Sequence, residues 1–345
     1  MENFSVPFKH KVHLFSLVLL LFTIPVLSQS DPGTYKDFKI EKLGDGVYAA
    51  IHKNGGHAIC NAGIIDLGGS TLVIDPFISP SAAHELKKAA MELTGNAVKY
   101  VVNTHYHNDH VRGNQAFPEA TIICTEKTLE LMKINGPLDL ENDKKEAAAQ
   151  FEFWKNKSVD PKDVSAVENR IGMIGYYEGI VQSLPEIRLT LPDVIFKNSL
   201  SIEGDTRSVE VIDMGIGHTE SDAVVWIEND HLLFAGDLLF VNTQPWMLDG
   251  DPENWFRILD RLVDMKPEAI VPGHGPVSTI EDIAPMKAYM RTVMNAAKEL
   301  SEKPEMKIVC PPPFDGWMLS AFYVPNVIGL SKKQDKKPEN KTSGD

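Results

Sequence analysis

Three cysteines in 345 residues are too few and too scattered for a disulfide framework. Cys60 and Cys124 sit in apolar runs (Ala58-Ile59-Cys60 and Thr121-Ile122-Ile123-Cys124) and read as small core residues. Cys310, in the C-terminal region, is the better candidate for any bridge. Positive charge is also short: 34 lysines and arginines against 48 acidic residues give a net charge of −14. Such a chain lacks the basic field that grips phosphate backbones, which speaks against nucleic acid as a partner. Long apolar runs are missing too. The one candidate, Leu14 to Ile24, falls well short of the ~20 residues that a membrane span needs. It follows Lys9-His10-Lys11 and leads to Ser28, the layout of a secretory signal peptide over residues 1–28. No stable membrane span is expected after cleavage, and no cysteine marks the junction for lipid attachment. The mature chain is therefore expected to be exported, periplasmic or secreted. Its oligomeric state has no signature in the sequence.

What the chain does have is histidine in one place. Residues 105–110 read His-Tyr-His-Asn-Asp-His, three imidazoles and a carboxylate in six residues, in a chain with only 11 histidines. The hexapeptide follows the apolar run Tyr100-Val101-Val102, so a strand delivers it to a sheet edge, where side chains can converge on an ion. Imidazole with carboxylate suits zinc, and also iron or manganese. Three further stretches repeat the arrangement. Gly217-His218, Gly236-Asp237 and Gly273-His274 each follow a short apolar run, where glycine lets the backbone turn. Any one of them alone reads as a turn. Four strand ends that all offer metal-binding side chains make a constellation. Two divalent cations held close together lower the pKa of a shared water toward neutrality and polarise a carbonyl. A carboxylate at the same edge, Asp109, can orient that water and shuttle its proton.

The order of these residues resembles that of the metallo-β-lactamase superfamily: Asp75 at a strand end, the His105–His110 motif, then His218, Asp237 and His274. The resemblance covers roughly residues 36–300. It implies an α/β fold, an αββα sandwich of two mixed sheets with helices outside, here carrying a helical insertion. It also implies two Zn²⁺ ions, with Fe or Mn as alternatives. One would be held by His105, His107 and His218, the other by Asp109, His110 and His274, with Asp237 bridging. Asp75 would brace the histidine loop without touching metal.

The layout follows from the pattern along the chain: a catalytic domain over about 35–300, then a C-terminal segment 301–345 that is expected to be disordered from about 331. Strands are expected at 38–51 (two, around Gly44-Asp45-Gly46), 58–66, 70–75, 99–104, 120–124 and again at 186–196. A helix is expected over 80–93, capped by Ser79 or Ser81, and another over 251–265, capped by Asp251. From about 127 to 185 polar helical sequence replaces strands, too long for a plain connection. Its Phe151, Phe153, Trp154, Met173, Tyr176 and Tyr177 either pack the insert onto the sandwich or form a lid over the metals. Phe240 and Trp246, on a loop leaving the metal edge, are possible pocket walls. His52, His57, His84 and His231 read as surface or satisfied groups, with His57 alone worth checking for nearness to the site.

The expected activity is that of an exported dinuclear zinc hydrolase, which turns a metal-bound hydroxide on a small ester, thioester, lactone or lactam. The segment after Asp237 carries no basic residue, which counts against the superfamily's glutathione-thioester hydrolases. Two rivals are a mononuclear iron enzyme of the persulfide-dioxygenase type and a non-catalytic periplasmic accessory protein on the same scaffold.

Overall fold

The computed structural model describes residues 35–335; the expected signal peptide and residues 336–345 lie outside them. The chain opens with four antiparallel strands, β1 (Phe38–Gly44), β2 (Val47–His52), β3 (Ala62–Asp66) and β4 (Thr71–Ile74). Helix α1 (Pro80–Thr94) then crosses over to β5 (Val98–Val102), which pairs parallel to β4. Its start is set by Ser79, whose hydroxyl accepts the Ala82 N–H, and its end by Gly95 in the left-handed region. After the short helix α2 (Asn108–Val111), β6 (Thr121–Thr125) extends the parallel half of the sheet.

Two long helices follow, α3 (Glu126–Asn156) and α4 (Val164–Ser183), before β7 (Val194–Phe196) closes the first sheet. Only those three residues of the expected 186–196 stretch form a strand, and it starts just after Pro192, which lacks the backbone donor a ladder needs. The second sheet is built from β8 (Ser199–Glu203), β9 (Ser208–Gly215), β10 (Asp222–Ile227) and β11 (Leu232–Phe240), with β12 (Ala269–His274) parallel to β11. Helix α5 (Pro252–Asp264) lies between β11 and β12, while α6 (Ile283–Glu302) and α7 (Tyr323–Asp335) follow them.

Burial divides these elements into four layers. Between the sheets lie Leu72, Ile74 and Val102 from one side and Val211, Val225 and Phe234 from the other. Helix α1 covers the outer face of the first sheet through Leu86, Ala89 and Ala90. Helices α5, α6 and α7 cover the second through Trp255, Leu259, Met290 and Val327. Strand β11 is buried along all nine residues, which is why its sequence is almost continuously apolar. The architecture is the αββα sandwich.

The C-terminal segment is part of the core. Trp317 stacks on Tyr289 at 5.4 Å, and Tyr323, Val327 and Leu330 pack into the same cluster. Helix α7 runs past Ser331, which is buried, to Asp335, four residues beyond the expected onset of disorder at about 331. Apolar residues at positions 323, 327 and 330 recur at helical spacing and give α7 a buried stripe that carries the helix into the polar sequence from Ser331. All three cysteines are free; Cys60 and Cys124 are buried.

Candidate metal centre

The centre is built at the edge where β4, β5, β11 and β12 end or bend. Asp75 follows β4 with φ 50°, and its buried carboxylate organises the histidine loop. Asp75 Oδ1 accepts the Thr104 N–H at 2.8 Å, and Oδ2 accepts the Thr104 hydroxyl at 2.7 Å. Oδ2 also faces His110 Nδ1 at 2.9 Å. The Thr104 hydroxyl, having given its proton to Asp75, can only accept from His105 Nδ1, 3.1 Å away. The network therefore assigns the proton of both rings to Nδ1 and leaves both Nε2 lone pairs turned inward.

Those lone pairs meet a carboxylate. Asp237 Oδ2 lies 3.7 Å from His105 Nε2 and 3.2 Å from His218 Nε2, and His107 Nδ1 lies 3.0 Å from the same His218 nitrogen. Asp237 Oδ1 lies 3.0 Å from His110 Nε2 and 3.5 Å from His274 Nε2. Asp109 Oδ2 completes that side, 3.3 Å from His274 Nε2 and 3.6 Å from His110 Nε2. The donors thus form two converging groups, His105/His107/His218/Asp237 and Asp109/His110/His274. Asp237 turns one oxygen toward each. All seven residues named from the sequence meet here.

The donor set fits divalent cations on an observation independent of any motif. His105 Nε2, His110 Nε2 and Asp237 Oδ1 are buried without a hydrogen-bond partner among the described residues. Each such atom costs about 1–3 kcal/mol if left unpaired. Lone pairs that face one another across 3–4 Å are relieved by a shared cation. With protons alone, the same geometry distorts the titration. Burial would lower His274, but Asp237 and Asp109 hold it up to about 9. Burial would raise Asp109, but His110 and His274 hold it down to about 2.

Two glycines explain how Asp237 reaches this position. The expectation of a strand end at Gly236-Asp237 is corrected, since β11 continues to Phe240. Gly236 adopts φ 52° and the pairing register with β12 slips on either side of it, a bulge that swings Asp237 to the edge without ending the strand. The strand persists because Leu238, Leu239 and Phe240 are buried in the outer core. Opposite, a Cβ at Gly273 would lie 1.8 Å from Asp237 Oδ1, so only glycine leaves room for the carboxylate.

Phe240 is therefore a strand residue, not a loop residue, and its ring stacks on His274 at 5.0 Å and 10°. It lines a cavity of about 290 Å³ above the cluster, together with Trp246, Met173, Tyr176, Tyr177 and Phe322. Helix α4 thus contributes three side chains to the cavity wall, whereas Phe153, at the far end of α3, is largely exposed. His57 does not enter the cavity; its Nε2 pairs with Glu178 of α4 at 3.2 Å. His52, expected to be a surface or satisfied group, packs edge-on against His274 at 6.0 Å, and burial with His274 beside it lowers its pKa to about 3.

Two acidic residues had no signal in the sequence. Asp249 Oδ2 lies 3.0 Å from His107 Nε2, and so leaves His107 Nδ1 free to face His218. Asp139, on α3, lines the cavity. Neither sits in a motif, and Asp249 is 142 residues from its partner.

A family model, the metallo-beta-lactamase superfamily, matches residues 55–274. A metallo-beta-lactamase type 2 of Bacteroides fragilis is 26% identical over 171 residues, 44% of this chain and 67% of that protein. A hydroxyacylglutathione hydrolase of Methylococcus capsulatus is 25% identical over 194 residues, 56% of this chain and 52% of that protein. Among solved structures, a metallo-beta-lactamase from Pontibacter korlensis superposes with a TM-score of 0.52 at 18% identity, covering 74% of this chain and 99% of that one. That likeness concerns the fold. The family match spans every strand that delivers a histidine or aspartate to the edge, and the chain belongs to the metallo-beta-lactamase superfamily.

Proposed function

We propose that this chain is an exported dinuclear metallohydrolase acting on a small ester, thioester, lactone or lactam. In this reading one metal takes His105, His107 and His218, the other takes Asp109, His110 and His274, and Asp237 is shared. Zinc suits the donor set best, with iron or manganese compatible. The observation that carries the reading is Asp237, which offers one oxygen to each histidine group at the floor of an open cavity. A divalent pair bound there would supply an activated water and a Lewis acid for the substrate carbonyl.

The chain's own residues account for the rest. Asp75 and Thr104 fix the tautomers of His105 and His110, and Asp249 does the same for His107. Asp109 reaches the cavity, where its free oxygen can hold the attacking water and take up its proton. Phe240, Trp246 and Tyr176 exclude bulk water around the scissile group, which strengthens every charge interaction inside. Among the described residues no lysine or arginine lines this cavity, which argues against substrates gripped by a carboxylate.

Export rests on the N-terminal pattern Lys9 to Ser28, and N-terminal sequencing of the mature protein tests it. Among the described residues no helix is long and apolar enough to cross a membrane. The hydrolase reading is tested with a panel of an ester, a thioester, a lactone and a chromogenic cephalosporin. Turnover of at least one, abolished by a chelator and restored by zinc, is expected. A fully metal-loaded protein inert toward all four classes would refute it.

A further inference from the structure

The cavity contains a charge that the metal centre does not use. Asp139 is partly buried on α3, lines the cavity, and belongs to neither group of converging metal donors. Among the described residues its carboxylate has no hydrogen-bond partner. Arg112 and Arg188 border an adjoining pocket with Asp139, but neither forms an ion pair with it. Arg112 bonds Asp143, one turn further along the same helix, through Nη2, and its Nη1 has no partner among the described residues. Burial raises the pKa of Asp139, with Arg112 and His107 opposing, as for a carboxylate short of compensation.

The cavity that Asp139 lines has aromatic walls. Tyr176 and Tyr177 meet edge-on at 5.0 Å, and Trp246 and Phe322 at 5.5 Å, all four lining the same space. Aromatic faces attract cations, most strongly when water is excluded. Lys39 and Lys53 border only the adjoining chamber, and both are tied down. Lys39 pairs with Glu41, and Lys53 donates to the carbonyls of Tyr35 and Lys36. The net charge of −14 would draw a cation toward the molecule.

We propose that the substrate of this centre carries an amine or quaternary ammonium group, held by Asp139 within the aromatic walls beside the bond that is cleaved. The proposal rests on the hydrolase reading, and its test separates the two. Titration calorimetry of zinc-loaded protein compares choline with its uncharged isostere, 3,3-dimethylbutanol. Choline is expected to bind about tenfold more tightly, and Asp139→Asn is expected to bring the two within about twofold. In parallel, turnover of acetylthiocholine is compared with that of 3,3-dimethylbutyl thioacetate, with metal content measured for both proteins. Equal binding of the two alcohols, or a preference that survives Asp139→Asn, overturns the proposal. So does an equal loss of both thioester activities in the variant, which would make Asp139 a catalytic group and not a specificity group. A preference for choline without turnover of either thioester, or of any member of the hydrolase panel, overturns the hydrolase reading and leaves the cation site standing.

Discussion

Replacing Asp75 by asparagine changes almost no volume and turns one acceptor oxygen, which serves two hydrogen bonds, into a donor nitrogen. The amide oxygen can still accept the Thr104 N–H, but the nitrogen then donates where Oδ2 accepted from the Thr104 hydroxyl and from His110 Nδ1. His110 Nδ1 must now accept, so its proton moves to Nε2, the atom aimed at Asp237. The Thr104 hydroxyl turns its proton toward His105 Nδ1, and His105 switches in the same way. Each metal loses one ready lone pair. Changes of this kind cost roughly 10–100-fold in metal affinity, equivalent to ~1.4–2.8 kcal/mol. The opposite amide orientation keeps both tautomers but sets an NH₂ against the Thr104 N–H, so about 1–3 kcal/mol leaves the fold instead. Asp75→Ala orphans three donors and is expected to cost about 3–9 kcal/mol of stability. Competition against a chromophoric chelator measures affinity, thermal unfolding measures stability, and imidazole ¹⁵N shifts of the metal-free protein report the tautomers. Asp75→Asn protein that binds metal and unfolds like the parent, with Nδ1–H tautomers retained, would refute the argument.

Gly273→Ala presses a methyl group onto Asp237 Oδ1. It is expected to lower metal content below that of the parent and to destabilise the metal-free fold by about 1–3 kcal/mol, read by metal analysis and thermal unfolding. The histidine cluster gives metal-free and metal-loaded protein opposite responses to pH. His274 is raised from 6.5 to about 9 in the folded state, so its contribution is fully present below pH 6.5 and is lost as pH rises through 9. Metal-free protein should therefore lose thermal stability across that window. Metal affinity should rise over the same window because ligation needs neutral imidazole, as titrations at three pH values would check. Trp317→Ala removes a buried ring from the C-terminal cap and is expected to cost about 3–5 kcal/mol. An unchanged denaturation midpoint would show that the cap is only loosely attached.

The parts of the site that were legible in the sequence are those in which local chemistry and backbone geometry coincide. His105, His107, Asp109 and His110 are six-residue neighbours after an apolar run. His218 and His274 each follow a glycine at the end of a strand. Asp237 was recognised by residue type and order, but its local structure was not, because Gly236-Asp237 reads as a turn. The burial of Leu238 to Phe240 carries the strand through the bulge, and that depends on helices α5 and α6. Asp249 and Asp139 were invisible for a related reason. What matters about each is the partner or cavity it meets, set by loops and by the helical insert, with no spacing rule to reveal it. The insert was legible as helix from its composition. Which of its aromatics face the cavity was not, since Tyr176 and Tyr177 are adjacent on α4 and both reach it. Helix α7 was not legible because its apolar anchors, Tyr323, Val327 and Leu330, stop just short of the polar sequence that begins at Ser331, and only their packing on α6 carries the helix into it.

The central claim is that Asp237 joins two metal positions in one centre. The most direct measurement is metal content per chain for the parent and for Asp237→Asn, after dialysis against trace zinc. The account predicts about two zinc ions per parent chain and a marked loss in the variant, since both positions share that carboxylate. A single bound ion in the parent, or two ions that survive the loss of Asp237, would contradict it.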